Sequence, residues 1–410
     1  MYQLRRIYYG NVYTLQILDI IKFSYYNCLM IYIHRTIEPL VQEYITYFPV
    51  VAISGPRQSG KSTLVRHLLS NDYTYMTLDD YRIVDQIRDD PERFFLKNNN
   101  KIIIDEVQRL PEIFLYIKRI VDEQRDVYGR FILTGSSQFS LHQKISETLA
   151  GRIGLLKLLP FDYQEVPAEN HSIISGCYPE LVMRSYRFHD PWYSSYVQTY
   201  IERDVQSIAN IRDIHDFSRL IKLLAAQVSC QLNYSYFSKI LGVSVPTVKK
   251  WVSILEASYI IYLLRPYHSN LGKRLTKAPK IYFYDTGLAA YLTKTIDTQW
   301  EDGPLAGPLF ENYIVIETLK NSLHTGNSHE LFYFREHNGD EIDLIIDTNA
   351  ARYFIEIRKS MTYKPRMGKH LLKYADANTR SYIIYQGETL TYVPTISVMN
   401  YRDYLQKLYT

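Results

Sequence analysis

Eight consecutive residues have the types and spacing of a phosphate-binding loop. The segment Gly55–Ser62 satisfies the pattern G-x-x-x-x-G-K-[ST] at every specified position. A triphosphate is densely anionic, and a glycine-rich turn lets successive backbone N–H groups point at it while the next helix presents its positive end. The pattern therefore predicts a site for ATP and magnesium. The predicted nucleotide-binding residues here are Gly55, Pro56, Arg57, Gln58, Ser59, Gly60, Lys61, Ser62 and Thr63.

Two of these residues have defined chemical roles in such a site. Lys61 is expected to reach the β- and γ-phosphates, and Ser62 is expected to ligate magnesium through its hydroxyl. The alternative is a glycine-rich turn that binds nothing. The apolar run Val50–Ser54 before the loop and the helical pattern Lys61–Leu69 after it favour the phosphate site.

Two carboxylates follow the apolar run that starts at Lys101. Asp105 and Glu106 come at the carboxyl end of this run, and α/β sheets bind ligands at that edge. We expect Asp105 to hold magnesium through water and Glu106 to polarise the attacking water in catalysis. The alternative for Asp105 is a helix N-cap, a position that aspartate favours.

Polar residues beside two further strand-like runs complete a hydrolytic set. Thr134 and Ser136, followed by Ser137, end the run that begins at Arg130, and we expect them to sense the γ-phosphate or to orient water. A turn stabilised by side-chain hydrogen bonds is the alternative. Arg152 immediately precedes another run, where its guanidinium would act as a catalytic arginine finger on the nucleotide of a neighbouring subunit. Local pairing on the surface is the alternative for Arg152.

A third set of carboxylates lies in the C-terminal part of the chain. The segments 338–346 and 353–359 resemble the metal site of restriction-endonuclease-like folds. In that pattern an acidic residue on a helix joins an aspartate and a glutamate on adjacent strands to bind magnesium. The resemblance implies a metal site formed by Glu311, Asp343 and Glu356.

The sequence departs from that pattern two residues after Glu356. The pattern has a lysine there that assists the attacking water, whereas this chain has Arg358. Because side chains alternate along a strand, Lys359 points to the opposite face unless a bulge re-aims it. Arginine stays protonated and is bulky. We therefore expect a nuclease-like domain with weak or no cleavage, whose carboxylates bind a metal or form an ion-pair network.

The elements that must position the phosphate-binding loop and the carboxylates Asp105 and Glu106 alternate between strand and helix. Helical patterns at Lys61–Leu69 and Glu112–Val127 lie between apolar runs, which predicts an α/β domain built on a parallel sheet. Strand-like runs return near the C-terminus. The first group of runs is Val50–Ser54, Tyr73–Leu78, Lys101–Ile104, Arg130–Thr134 and Gly154–Leu159, and the second is Lys280–Tyr284, Leu331–Phe334, Ile342–Ile346, Tyr353–Ile357 and Ser381–Tyr385.

Between these groups the spacing of apolar residues is mostly helical. A helix from Tyr236, a turn at Gly242 and a second helix capped by Ser244 predict a helix–turn–helix, and the strand that follows makes it a winged helix. Lys249 and Lys250 on the second helix are candidates for contact with DNA. A lid or a protein-binding surface is the alternative.

Composition limits the remaining possibilities. The chain has 410 residues, a formal net charge of +4 and both signs of charge spread along its length, so nucleic-acid contact is allowed but not required. Three distant cysteines provide no disulfide framework, and no apolar stretch is long enough for a membrane span. We expect a cytoplasmic protein of two or three domains. Residues 1–30 have no clear role, and Met30 is a plausible start of the first domain.

The motifs together resemble the prokaryotic AAA-type ATPases that carry an uncharacterised C-terminal domain. The resemblance covers residues 31–400 and includes Gly176–Glu180 and Tyr284–Leu288. It implies a central sheet of AAA topology and the role of Arg152 as a finger. The expected division is an extension at 1–30, an ATPase domain at 31–168, a helical and winged-helix domain at 169–270 and a nuclease-like domain at 271–410.

Three hypotheses about function follow. The first is an ATPase that couples hydrolysis to a macromolecular partner, with DNA or a protein as partner and a homo-oligomer as the assembly that a finger requires. The second is an ATP-dependent nuclease that uses Glu311, Asp343 and Glu356. The third is a nucleotide-gated interaction protein with negligible turnover.

Overall fold

A computed structural model describes residues 32–136, 148–204, 213–267, 278–295, 297–327, 329–336, 339–348 and 350–409, without the side chains of 202–204 and 297–299. The predicted extension 1–30, the predicted start at Met30 and Ser137 lie outside the described residues. The described residues from Arg35 to Tyr409 belong to one compact unit. No helix in the described ranges is long and apolar enough to cross a membrane.

The first sheet has five parallel strands in the order β2-β3-β4-β1-β5. Strands β1 and β4 are buried along their whole length, as their continuous apolar runs predict for a sheet covered on both faces. Strand β2 departs from this expectation because it lies at the edge of the sheet, and among its residues only Met76 is buried. The bounds are β1 Val50–Ser54, β2 Thr74–Thr77, β3 Ile102–Asp105, β4 Phe131–Gly135 and β5 Ile153–Lys157.

Helices connect these strands and cover the sheet. The predicted helix Lys61–Leu69 has the expected bounds, whereas the one predicted to reach Val127 ends at Glu123, before a polar turn. The apolar face of the helix Ile113–Glu123 shares one hydrophobic core with the strands. The bounds are α1 Glu38–Tyr47, α2 Lys61–Leu69, α3 Tyr81–Asp89, α4 Pro91–Lys97 and α5 Ile113–Glu123.

The middle of the chain is helical. The predicted helix–turn–helix is present: Gly242, with φ 71°, ends the first helix, and the Ser244 hydroxyl accepts a hydrogen bond from the Thr247 N–H at the start of the second. These helices share a second hydrophobic core. The elements are α6 Pro179–Met183, α7 His189–Tyr196, a π-helix Val197–Asp204, α8 Ile214–Ala226, α9 Tyr234–Leu241 and α10 Val245–Ala257.

The second sheet is mixed and has seven strands in the order β12-β11-β10-β9-β8-β6-β7. Its strands are β6 Ile261–Pro266, β7 Lys280–Phe283, β8 Glu330–Arg335, β9 Glu341–Asp347, β10 Arg352–Arg358, β11 Thr379–Tyr385 and β12 Ser397–Asn400. The helices of this region are α11 Thr286–Thr293, α12 Asp297–Asp302, α13 Ala306–Thr325, α14 Lys369–Tyr374 and α15 Tyr401–Lys407.

The strands after α10 differ from the predicted wing. Strands β6 and β7 pair as an antiparallel hairpin, but β6 also pairs with β8 in parallel through Arg265 and Pro266. The hairpin is therefore the edge of the seven-stranded sheet rather than a free wing. The predicted boundary at 270/271 falls between these two paired strands, and the division into domains stays a prediction.

Helix α13 lies at the centre of the C-terminal region and is buried on nearly all sides. Its charged side chains bind the segment that follows β5. Lys320 Nζ donates to the Phe161 carbonyl at 2.8 Å and to Glu317 Oε1 at 2.7 Å. His324 Nδ1 lies 2.9 Å from Asp162 Oδ2. Buried charges need such partners, so these pairs fix α13 against the end of the first sheet.

Two glycines make a close backbone contact possible near the start of α11. Asp285 caps this helix and also accepts a hydrogen bond from the Cys177 N–H at 2.7 Å. A Cβ on Gly287 would lie 2.6 Å from the Gly176 nitrogen and would overlap the Tyr193 hydroxyl. The backbone around Gly287 therefore has no room for a larger residue.

Replacing this glycine tests the contact. We expect Gly287→Ala to lower the free energy of unfolding by about 1–3 kcal/mol because the added methyl group overpacks the site. The matched control is Gly307→Ala in the first turn of α13, where no atom lies within 4 Å of an added Cβ. That change is expected to be neutral or to stabilise by up to about 1 kcal/mol. Urea unfolding measures both, and equal midpoints for the two variants would contradict the contact.

Candidate functional site

The phosphate-binding loop has the backbone that its glycines permit. Gly55 lies so close to the Leu158 carbonyl that a Cβ there would overlap the oxygen. Gln58 and Gly60 have φ of 64° and 93°, and Gly60 precedes α2 without a side-chain cap. The first N–H groups of α2 therefore have no capping side chain, the arrangement by which helix N-termini bind anions.

Lys61 lies in this loop with only carbonyl groups as hydrogen-bond partners in the described chain. Its Nζ donates to the Gly55 carbonyl at 3.0 Å and to the Pro56 carbonyl at 2.8 Å. Burial lowers the pKa of Lys61 to about 8, against the opposing effect of Glu106 and Asp105. An ammonium that is buried without a bonded carboxylate fits a phosphate ligand.

The neighbouring residue Ser59 supports the same fit. Its hydroxyl is fully buried and has no hydrogen-bond partner among the described residues. Buried hydroxyls are nearly always satisfied. The loop thus contains a polar group and a cation that the chain itself leaves available for a triphosphate.

Asp105 ends β3 at the carboxyl edge of the sheet. Its Oδ1 accepts a hydrogen bond from Thr134 of the neighbouring β4, and its Oδ2 accepts one from the Tyr75 hydroxyl at 2.6 Å. Burial and this hydrogen bond raise the pKa of Tyr75 well above its usual value. Asp105 does not cap the 3₁₀ turn Val107–Arg109 that follows. Its carboxylate is therefore oriented by two hydroxyl groups, and Tyr75 is a contact that the sequence did not indicate.

Glu106 is held in an uncommon backbone conformation beside it. Its φ of 55° and ψ of 43° are left-handed, which is strained for a residue with a side chain. The Gln108 amide donates to Glu106 Oε2 and lies 3.2 Å from the Ser136 hydroxyl, which is itself 3.3 Å from Glu106 Oε2. The structure thus brings Glu106 and Ser136 together, and Gln108 is a further member that sequence reasoning missed.

Arg152 lies beside the amino ends of the strands, at the opposite end of the sheet from the phosphate-binding loop. Its carbonyl accepts the Val50 N–H at the amino end of β1, about 13 Å of strand from the loop. Its guanidinium is 2.6 Å from Asp122 Oδ1. Within one chain Arg152 therefore pairs locally, and its role on a neighbouring subunit stays a prediction.

Two tyrosines from the middle of the chain contact the same edge as the loop. The Tyr259 hydroxyl lies 2.8 Å from Ser54 Oγ, immediately before Gly55. The Tyr200 hydroxyl donates to the Ser258 carbonyl at 3.2 Å and lies 3.5 Å from the Ser136 carbonyl. Ser258 and Tyr259 directly follow α10, so the end of the helix–turn–helix contacts the nucleotide-binding edge. Neither tyrosine was predicted because each contact joins residues far apart in the chain.

The C-terminal carboxylates are also brought close together, but around a lysine. Lys280 Nζ lies 2.9 Å from Glu311 Oε1, 2.5 Å from Glu341 Oε1 and 3.7 Å from Asp343 Oδ1. Burial alone would lower the pKa of Lys280, yet the surrounding carboxylates, Glu311 first, raise it well above its usual value. Burial raises the pKa of Glu311 to about 7, with Lys280 opposing the change.

Arg358 and His370 both contact the last member of this set. Arg358 contacts Glu356, as the shared strand face predicts, and His370 Nε2 lies 2.8 Å from Glu356 Oε2. In the described ranges, one set of three groups has ligand atoms all within 4.8 Å of one another, and it is Asp162, Glu165 and His324. The predicted metal ligands Glu311, Asp343 and Glu356 do not form such a set. Their geometry fits an ion-pair network rather than magnesium.

Comparison with known proteins agrees with the first of these sites. Residues 47–167 match the AAA domain family, and residues 169–299 and 306–404 match two domains of unknown function, DUF8612 and DUF4143. A phosphate-binding loop at the carboxyl edge of a parallel sheet, within a matched AAA domain, defines a P-loop ATPase domain. The two other matches support neither the predicted winged helix nor the predicted nuclease-like domain.

Several proteins are similar to most of this chain. Rv2008c of Mycobacterium tuberculosis and Mb2031c of Mycobacterium bovis are each 31% identical to it over 320 residues, which is 77% of this chain and 71% of theirs. The chain belongs to the family of these mycobacterial proteins. A Haemophilus influenzae protein is 24% identical over 69% of this chain and 77% of its own length. Among solved structures, the Walker-type ATPase PABY2304 of Pyrococcus abyssi covers 62% of this chain and 94% of its own at 15% identity, with a TM-score of 0.44.

The lowered pKa of Lys61 predicts how nucleotide binding depends on pH. Above pH 8 the amine is mostly neutral in the free protein, and bound phosphate raises its pKa, so binding takes up a proton. We expect ATP affinity to fall as pH rises from about 8 to 9.5, by up to about tenfold per unit. Titration with a fluorescent ATP analogue measures this. Lys61→Arg, whose charge is permanent, is expected to abolish the slope, and a flat profile in the wild type would contradict the assignment.

The lysine at the centre of the acidic cluster gives a second prediction. Lys280→Met leaves three carboxylates without their cation, so we expect stability to fall by about 3–5 kcal/mol near pH 8. The folded-state pKa of Glu311 then rises further above its unfolded value, and the stability that protonation supplies is lost as pH rises. The deficit should therefore be smaller at pH 5.

Urea midpoints at the two pH values measure this effect. Lys359→Met is the control because its ammonium donates to the Glu301 carbonyl and lies over the Trp300 ring, with no carboxylate bonded to it in the described chain. It should change stability by less than about 1 kcal/mol. A wild-type midpoint that rises with millimolar manganese would identify a metal site and overturn the ion-pair assignment.

Proposed function

We propose that this chain binds ATP with magnesium at Gly55–Ser62 and hydrolyses it to drive a conformational change toward a macromolecular partner. The observation that carries the proposal is the position of Glu106. Its carboxylate is held by Gln108 and Ser136 at the same sheet edge as the loop. A passive nucleotide pocket needs no oriented carboxylate there, whereas hydrolysis needs one to polarise water.

The other residues of the site divide the remaining tasks. Lys61 would exchange its two carbonyl partners for the β- and γ-phosphates, and Ser62 and Asp105 would hold magnesium, which neutralises charge on the phosphates. Thr134 orients Asp105 through their hydrogen bond. Ser136 is placed to respond to the γ-phosphate because its hydroxyl already contacts the catalytic carboxylate.

The contacts of Tyr259 and Tyr200 connect the nucleotide-binding edge to the middle of the chain, so they could transmit a conformational change. Movement of Ser54 or Ser136 on nucleotide binding reaches the end of α10 through these two hydroxyl groups. Helix α10 carries Lys249 and Lys250, both exposed. We propose DNA as the partner of this surface, and a protein partner is the alternative.

The C-terminal carboxylates and Arg152 have separate places in the proposed function. We assign no nuclease function to the C-terminal carboxylates, because Lys280 pairs with Glu311 and Arg358 pairs with Glu356. Arg152 would act only in an assembly of several subunits. There its guanidinium would leave Asp122 and bind a phosphate of the nucleotide on a neighbouring subunit. A homo-oligomer that forms with ATP would support that role.

Phosphate release by the purified protein tests hydrolysis. We expect Lys61→Ala to abolish ATP binding and turnover, and Glu106→Gln to lower turnover at least about a hundredfold while ATP still binds, because only the group that polarises water is lost. Glu112→Gln, a surface carboxylate that pairs with Arg88, is the control and should keep full activity.

The outcomes separate the hypotheses. Binding of ATP without turnover by the wild type would replace the ATPase with a nucleotide-gated interaction protein. A salt-sensitive gel shift of DNA that is weakened in Lys249→Ala/Lys250→Ala supports the DNA partner. Absence of that shift favours a protein partner.

A further inference from the structure

Arg35, which precedes α1, lies beneath the phosphate-binding loop. The residue is 4% exposed, and its guanidinium has partners in three directions. Nη1 donates to the Ser59 carbonyl at 2.8 Å, Nη2 donates to the Leu159 carbonyl at 2.8 Å, and Nε lies 3.0 Å from Glu165 Oε1. The guanidinium carbon also lies 4.8 Å from the centre of the Phe161 ring.

These contacts require the planar fork of an arginine. A lysine supplies one charged atom, which cannot donate separately to the Ser59 and Leu159 carbonyls while it also lies beside Glu165. The loop leaves room for the fork, since a Cβ on Gly60 would lie 3.2 Å from Nη1. Two features therefore disfavour a larger residue at position 60: the nearby guanidinium of Arg35 and the φ of 93° of Gly60.

The contact with Ser59 has a consequence for phosphate binding. In a planar trans peptide the carbonyl of one residue and the N–H of the next point in opposite directions. Arg35 holds the Ser59 carbonyl below the loop, so it also directs the Gly60 N–H toward the other side. Backbone N–H groups of this loop are the donors that cradle phosphates.

The other two partners of the Arg35 guanidinium are themselves held by hydrogen bonds. Leu159 donates its N–H to His324 Nε2 at 3.2 Å, and Glu165 accepts hydrogen bonds from the N–H groups of Thr36 and Asp162 at 2.6 and 2.9 Å. His324 belongs to α13. The guanidinium is therefore anchored to a rigid support.

We propose that Arg35 is a positioning residue for nucleotide phosphates, acting through the Ser59–Gly60 peptide. The proposal rests on the proposed function for the identity of the ligand, but it concerns phosphate binding and not turnover. Arg35 touches no phosphate itself. Removing it lets the Ser59–Gly60 peptide rotate, and the loop then loses one oriented donor.

The experiment compares ligands with and without phosphates. In Arg35→Lys we expect affinity for ATP and ADP, measured by competition against a fluorescent nucleotide, to fall roughly tenfold to a hundredfold, the effect of losing one strong hydrogen bond. Affinity for adenosine should stay unchanged. General loosening of the fold would weaken adenosine as well, so the ratio of the two affinities isolates positioning.

Arg130→Lys is the matched control. Arg130 is 6% exposed, donates to Asn99 and Gln124, and lies at the amino end of β4, away from the loop. Its replacement should leave ADP affinity unchanged. If folded Arg35→Lys binds ADP as tightly as the wild type, the proposal is overturned.

A second variant decides the matter if Arg35→Lys does not fold. Glu165→Gln leaves the fork in place with a weaker third partner, and ADP affinity should fall at least about threefold while adenosine affinity stays constant. Unchanged ADP affinity in that variant would overturn the proposal. A wild type that binds ATP but does not hydrolyse it would defeat the proposed function and leave this test intact.

Discussion

The structure depends on one set of buried charges, those that hold the segment 159–165 between the first sheet and α13. Asp162 and His324, Glu317 and Lys320, and Arg35 and Glu165 are paired with almost no exposure to solvent. Each of these buried polar groups would be destabilising without its partner. Leu158, immediately before this segment, lies against Gly55, and Arg35 joins the Leu159 carbonyl to the Ser59 carbonyl. The geometry of the phosphate site is therefore set by packing around α13 as well as by its own motif.

Two lysines show how the same side chain is used in opposite ways. Lys61 Nζ donates to two carbonyl oxygens, and no carboxylate among the described residues bonds it, so its charge suits an added anion. Lys280 is surrounded by carboxylates that belong to the chain, so its charge is already used. The arrangement around Lys61 suits the binding of an anionic ligand, whereas the arrangement around Lys280 stabilises the folded chain. This contrast explains why the two sites that sequence motifs suggested, one for phosphate and one for a metal, differ in the structure.

The sequence predicted what local pattern controls. The strands and α2 follow from continuous apolar runs and a glycine-rich turn, and the helix–turn–helix follows from Gly242 and Ser244. Residues such as Arg35, Tyr259 and Lys280 carry no local signal, since their partners lie 24, 205 and 31 residues away. Lys280 opens an apolar run and was assigned to a buried strand, where a charge needs partners, but nothing local identifies them. The wing was misjudged for the same reason, because the pairing of β6 with β8 is long-range.

The bond between Ser54 and Tyr259 also has a consequence for biosynthesis. The loop leaves the ribosome long before the residues that support it, which are 205 positions later for Tyr259 and 165 later for the contact of Leu159 with His324. At roughly 5–20 residues per second, the nascent ATPase sheet waits on the order of 10–40 s for Tyr259. The contact that Tyr259 makes with the nucleotide-binding edge therefore forms only after this later part of the chain has been synthesised.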